Sequence, residues 1–189
     1  MSYNYVVYNR SIIPKSECQF PFDNVGFLYG YGLFETIRVY KKHPVLLDLH
    51  VQRMKDHAII LDIPFDYLFD EIAKLSADLI ARNGAEDAVM HIYLTPGDRQ
   101  FNCGDMKFSN PLLMMVLREF DFSQSEKRLH ISLREESFRR VKMDRFKTLN
   151  YLKNILEKKL AHPFDNVVLY DEDQVILESP NANVVFVSG

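Results

Sequence analysis

Residues 28–40, LYGYGLFETIRVY, constrain the fold more than any other stretch. In its second half Phe34, Thr36, Arg38 and Tyr40 point one way, and Glu35, Ile37 and Val39 the other. A period of two is a β-strand, and a strand needs neighbours in a sheet. The Lys41-Lys42-His43-Pro44 turn ends it, and residues 45–47 are expected to pair back antiparallel. Asp48 can cap the next helix, over 49–61, by accepting from free backbone N–H groups; Pro64 stops it. A second helix is expected over 66–83, ended by Gly84. Upstream, 5–8 and 11–13 read as a hairpin turning at Asn9-Arg10. Downstream, 88–94 and 112–118 read as strands, joined by the loop TPGDRQFNCGD, whose turn-residue content is that of a site border.

The stretch DFSQSE, 121–126, is polar and aperiodic, and is the best domain boundary. Past it a strand is expected over 129–133. In RFKTLNYLKNILEKKL, apolar Leu149, Leu152, Ile155, Leu156 and Leu160 fall on one helical face, so a helix is predicted from Thr148 to Ala161. Strands over 166–170, 175–178 and 183–187 follow, the first two joined at Asp171-Glu172-Asp173. The expected class is α+β, with an N-terminal α+β domain over 1–120 and a β-rich domain over 121–189. The second is small enough that its core is marginal alone, so a partner chain or further residues would complete it.

Several function classes are disfavoured. A net charge of −3 without a long run of one sign argues against nucleic acid or an anionic membrane as partner. Cys18 and Cys103 are far apart with no CxxC pair, which fits a reducing compartment, and the start MSYNYVVYNR lacks a signal peptide's apolar core; a cytoplasmic location is expected. The longest apolar runs, such as PLLMMVL, are too short to span a bilayer. The histidines show no HExxH spacing, so no metal is expected. YGYG offers a GxG without the third glycine of a dinucleotide loop.

Three places remain where chemistry could reside. Lys147 opens the predicted helix, between Phe146 and Leu149. A lysine there is usually solvated; a desolvated one becomes a nucleophile able to form a Schiff base with an aldehyde. His50 and Arg53, three apart, share a helix face, and the arginine fork suits phosphate or carboxylate, although an exposed arginine is the commoner outcome. Glu178 ends a strand before a Ser-Pro-Asn turn; it could cap that turn or hold a proton on a cofactor ring nitrogen, and Asn183 could anchor the same turn.

Four motifs occur in order: YGxxxFExIR from Tyr29, HxxR from His50, KxLNxL from Lys147, and a segment from Glu178 through Asn183 to Phe186. Together they resemble the fold type IV, or class IV, pyridoxal-phosphate enzymes, which include branched-chain and D-amino-acid aminotransferases and 4-amino-4-deoxychorismate lyases. The resemblance implies a two-domain fold with a small N-terminal α/β sandwich and a shortened C-terminal domain. It implies pyridoxal 5'-phosphate as cofactor, Lys147 as the Schiff-base lysine, Arg53 on the phosphate and Glu178 on the pyridine nitrogen. By the same resemblance Tyr151 contacts the cofactor's phenolic oxygen and Tyr29 helps form the substrate pocket. The chain departs from the family in reading Thr95-Pro96-Gly97 where many relatives have Thr-Arg-Gly, which leaves Arg99 or Arg38 for the substrate carboxylate. It is also shorter by about the last third, the segment that completes the phosphate cup. The expected function is a pyridoxal-phosphate aminotransferase acting on a small amino acid and a keto acid, as a homodimer. The alternatives are a lyase of the same family, a non-catalytic scaffold, and a cofactor-free Schiff-base enzyme.

Overall fold

The computed structural model describes residues 3–101, 106–121, 128–136 and 142–187; the boundary stretch 122–126 and Cys103 lie outside them. The chain divides into two compact units. One is Met1–Asp121 together with Phe146–Leu149, the other Phe122–Arg145 with Asn150–Gly189.

The first unit opens with the hairpin β1 (Tyr5–Tyr8) and β2 (Ser11–Pro14), turned by Asn9 at φ 53°. A short helix α1 (Val25–Tyr29) leads into β3 (Leu33–Tyr40) and β4 (His43–Pro44). Helices α2 (Leu47–Ile60) and α3 (Phe69–Asn83) follow, then β5 (Ala88–Thr95), the hairpin β6 (Asp98–Phe101) and β7 (Met106–Ser109), and β8 (Leu112–Arg118). Six strands form an antiparallel sheet in the order β2-β1-β8-β5-β3-β4. The alternation in β3 decides which face is covered: Leu33, Glu35, Ile37 and Val39 are buried, while Thr36, Arg38 and Tyr40 are exposed. Helix α2 buries Leu47, Val51, Met54 and Ala58, one stripe at helical spacing. That stripe and Ile72, Leu79 and Ile80 of α3 close over Ile37, Met90, Ile92, Leu113 and Met115 to make the core. Gly84, left-handed at φ 62°, ends α3.

Local details differ from the sequence expectations. The return strand is His43–Pro44 rather than 45–47, because Leu46 turns left-handed (φ 54°) and buried Leu47 already begins α2. Asp48 therefore lies inside the first turn and not at the cap, where its charge still favours the helix N-terminus. The second helix begins at Phe69, where Glu71 reaches back to the Leu68 N–H at 3.3 Å. Within the TPGDRQFNCGD segment, Asp98–Phe101 form strand β6 rather than an open loop.

The largest difference concerns Lys147. Strand β4 pairs only with Val39 and Tyr40, so the Leu33 end of β3 has a free edge. Residues 146–149 fill it. Thr148 bridges Leu33, the Phe34 N–H donates to the Lys147 carbonyl at 3.0 Å, and the Leu149 N–H donates to the Gly32 carbonyl at 2.9 Å. Backbone groups spent on a sheet are unavailable to a helix, and the helix expected from Thr148 begins only at Leu152.

In the second unit β9 (Ile131–Glu135) and β10 (Asn166–Tyr170) pair in parallel, with α4 (Leu152–Leu160) as the crossover between them. Helix α4 reverses the expected polarity. It buries Glu157, which pairs with Arg134 of β9, and leaves Leu152, Ile155 and Leu160 exposed. The strand expected over 175–178 is reduced to one isolated bridge, Tyr170 with Ile176; residues 183–187 form neither strand nor bridge, and Val185, Phe186 and Val187 are exposed. The Asp171 side chain closes the intervening turn by accepting from Asp173 and Val175 N–H groups at 3.1 and 2.9 Å. Among the described residues no helix is long and apolar enough to cross a membrane.

Candidate functional site

Strand β3 carries two side-chain clusters on adjacent residues. Glu35 faces the helices and is 2% exposed. A carboxylate buried on the apolar face of β3 must be paired to stay ionised, and α2 supplies both partners. Arg53 Nε donates to Glu35 Oε1 at 2.7 Å and its Nη2 to Oε2 at 2.5 Å, a bidentate fork. His50 Nδ1 lies 2.7 Å from Oε2 and donates to it. The i, i+3 spacing of His50 and Arg53 puts both on the face that meets the strand. Burial alone pushes the Glu35 carboxyl up, but hydrogen bonds from Arg53 and His50 and their charges reverse this and hold it below its ordinary value.

That direction sets a pH dependence. A carboxyl whose folded pKa is depressed adds stability that is complete above its ordinary pKa of 4.5 and is lost as pH falls through the lowered folded value. Glu35→Gln is isosteric and cannot titrate. The gap in urea midpoint between wild type and E35Q is expected to be widest near neutrality and to narrow below 4.5. A gap independent of pH would remove Glu35 from the acid response.

Lys147 stands across from Phe34, the neighbour of Glu35 on β3, whose side chain leaves the other face. The amine is half-buried, and Nζ lies 4.3 Å from the Phe34 ring centroid, a cation–π contact. Phe146 is buried on the other side of the same segment, edge-on to His57 of α2 at 5.0 Å. Lys147 is therefore neither a helix-start lysine nor a fully solvated one; sheet hydrogen bonds fix its backbone on both sides. His91, facing Thr36 from β5, stacks on Tyr93 at 5.8 Å. Burial, then the charges of Arg118 and Lys147, push the His91 imidazole below its ordinary value, so it is neutral near pH 7.

In the second unit the Tyr151 hydroxyl donates to the Pro180 carbonyl, which Asn154 Nδ2 also reaches at 3.0 Å. Burial, then the Glu178 carboxylate, raise the Tyr151 hydroxyl's pKa, so the two side chains are close enough to interact. Glu178 is half-buried, and its backbone carbonyl accepts from Leu169 at 2.8 Å. Next to it Ser179 is buried with an Oγ that has no hydrogen-bond partner among the described residues. Asn183 is exposed.

The remaining candidates lie in the first unit. Tyr29 ends α1 and is 60% exposed. Arg38 is exposed on β3, with its guanidinium 5.0 Å from the Tyr40 ring. Arg99 sits on β6 across from Phe108. From the sequence alone no role attached to Glu35, Phe34, His91 or Ser179. Phe34 and Glu35 did leave a signal, as fixed positions of the YGxxxFExIR motif, and Glu35 also as an acid in the Ile37–Val39 register of an alternating strand.

Pyridoxal phosphate requires an amine for its aldehyde, a cation for its phosphate and a carboxylate for its ring nitrogen. Lys147 offers a half-buried amine and Glu178 a half-buried carboxylate. Arg53 keeps its Nη1 without a partner among the described residues, since Glu35 engages Nε and Nη2 alone. The buried, unpartnered Ser179 Oγ is a further donor in want of an acceptor. Taken unit by unit, the residue types present fit the group: Lys147 and Arg53 in the first unit, Glu178 and Ser179 in the second.

A family model for amino-transferase class IV matches residues 32–189. A D-alanine aminotransferase from Staphylococcus aureus (strain MSSA476) is 24% identical over 181 residues, covering 93% of this chain and 63% of that protein. A branched-chain amino acid aminotransferase from Escherichia coli superposes with a TM-score of 0.79 at 20% identity, over 94% of this chain and 61% of that one. A Legionella pneumophila protein described as a candidate 4-amino-4-deoxychorismate lyase superposes at 0.76 with 23% identity, over 88% and 62%. The chain spans a little under two thirds of the length of these relatives.

Proposed function

The chain belongs to the class IV aminotransferase family, and on that premise we propose that it is a pyridoxal-phosphate aminotransferase moving an amino group between a small amino acid and a keto acid. The observation that carries this reading is Lys147: an amine half-buried over Phe34, on a backbone fixed at the edge of β3. When bound, the cofactor supplies an electron sink that stabilises negative charge at the substrate α-carbon.

The chain's residues do the rest. Arg53 would offer its Nη1 edge to the phosphate, and the Glu178 carboxylate would keep a proton on the ring nitrogen. Lys147 Nζ would hold the cofactor at its aldehyde carbon, and the same amine would serve as general base for the substrate α-proton. Tyr151 and Asn183 belong to the cofactor-binding set. Tyr29, Arg38 and Arg99 are the candidates for the substrate side. The partner is a second copy of the chain. In support, Phe20, Phe22, Phe27, Leu28 and Tyr29 form an exposed apolar group around α1, with Phe20 and Phe27 edge-on at 6.0 Å.

A lyase is the second reading, favoured by the likeness to the Legionella protein. It uses the same amine and ring carboxylate but expels a leaving group from the substrate instead of exchanging its amino group. Spectroscopy tests what the two readings share. Protein mixed with pyridoxal phosphate is expected to develop a near-visible absorbance band that borohydride abolishes, with the reduced adduct on Lys147 by mass spectrometry. Amino-acid and keto-acid panels then separate transamination from pyruvate release. No band at saturating cofactor would sink both readings and leave a non-catalytic scaffold.

A further inference from the structure

Resting on the reading of Arg53 as the phosphate ligand, we propose that Glu35 is a positioning residue: its bidentate grip on Arg53 aims the free Nη1 edge and so sets the chain's preference for phosphorylated over unphosphorylated ligand. Charge alone gives no reason for a carboxylate here. Glu35 cancels the unit charge that Arg53 would bring to an anion, and a buried ion pair is poor evidence of added stability. What Glu35 adds is geometry.

A lone arginine has several rotors and loses their freedom when it binds. This one is locked before any ligand arrives, by 2.7 and 2.5 Å contacts from Nε and Nη2 to a carboxylate that is 2% exposed. The carboxylate is itself pinned by His50 at 2.7 Å and by its place on β3. The guanidinium is planar, so fixing one edge fixes the opposite one. That opposite edge has no partner among the described residues, and the Arg53 side chain remains 47% exposed although its partner is buried. This pair is buried at the carboxylate and open at the cation, which leaves the held Nη1 edge accessible to a ligand.

The test compares equilibrium-dialysis affinities for pyridoxal 5'-phosphate and pyridoxal in the full chain and in E35Q, R53K and R53A. Wild type is expected to prefer the phosphorylated form, and R53A to lose most of that preference. E35Q keeps the shape but breaks the fork. It is expected to cut the preference at least about tenfold, as for one lost charge-assisted hydrogen bond, with pyridoxal affinity within about twofold of wild type. R53K retains the charge without a fork and is expected to resemble E35Q. A folded E35Q with unchanged preference overturns the proposal, and so does an equal loss for both ligands, which marks a merely structural role. If E35Q does not fold, R53K decides: a wild-type preference there shows that a point charge suffices and Glu35 positions nothing. A separate outcome, full preference in R53A, removes Arg53 from the phosphate and refutes the underlying reading instead.

Discussion

Lys147→Ala is expected to lower turnover by about a thousandfold or more while leaving the protein folded. The two halves of that expectation have different sources. Structurally, the lysine side chain contributes a cation–π contact with Phe34, whose loss at a partly exposed position costs roughly 0.5–1 kcal/mol. The bonds that seat the segment are made by the backbone, from Phe34 to Lys147 and from Leu149 to Gly32, and alanine keeps them. Chemically, one amine is assigned both the tether to the cofactor and the removal of the substrate proton, so no second residue covers its absence. K147A should still bind pyridoxal phosphate through Arg53 but show no borohydride-sensitive band. A small exogenous amine should restore part of the rate, since the missing group is a base and not a wall. The checks are single-turnover kinetics with and without added amine, and a thermal melt. K147A turning over within about tenfold of wild type would end the assignment, because a general base contributes on the order of a hundredfold or more. Lys147→Arg sharpens the contrast: it keeps a cation near Phe34 but can neither form the tether nor give up its proton, and is expected to be as inactive as alanine.

How much of this the sequence carried depends on the range of the interaction concerned. The alternation in residues 34–40 separated the two faces of β3, because a strand's two faces follow from consecutive residues; which one is buried came from the helices that cover it. The α2 stripe and the Gly84 stop were legible for the same local reason. The seat of Lys147 was not. Residues 147–149 pair with a free strand edge that exists only because β4 is two residues long, and nothing near Lys147 in the chain records that. The local pattern pointed to a helix starting at Thr148, and the sheet took those backbone groups first. Arg53 could be picked out because His50 and Arg53 share a helix face, and the phosphate role came from the wider motif order. Its partner was visible as a fixed letter of the YGxxxFExIR motif and as an acid in register with Ile37 and Val39, but with no role attached. An acid in an apolar register implies a cation on the element that packs against it, and α2 was the nearest candidate. The second unit was least legible. Apolar spacing from Leu149 to Leu160 implied a buried apolar face, whereas the helix buries Glu157. Hydrophobic periodicity identifies a helix but cannot tell which side meets its own sheet when a charged pair occupies that side.

That pair gives the second large effect, on stability rather than turnover. Arg134→Ala is expected to destabilise the chain by about 3 kcal/mol, the low end for breaking a buried ion pair. Glu157 is 1% exposed and Arg134 29%, so the arginine can recover solvent if its partner is lost but the carboxylate cannot. Removing the arginine is therefore the costlier half of the exchange. Glu157→Leu, which gives the site an apolar side chain and leaves Arg134 able to turn outward, is expected to cost less. The double variant R134M/E157L is expected to cost less than R134A alone, since a buried charged pair replaced together by apolar groups of similar size is often near neutral. Neighbouring charges make this a demanding comparison: Lys153, one turn before Glu157, bonds Glu136 at 2.7 Å and Asp144 at 3.0 Å, so α4 meets the rest of its unit through more than one ion pair. Urea unfolding of the three variants settles the order. If R134A proves no worse than E157L, the pair is not held by burial of the acid, and α4 is fixed by its other contacts; if the double variant is the worst of the three, the charges specify the packing of α4 in a way that apolar filling cannot replace.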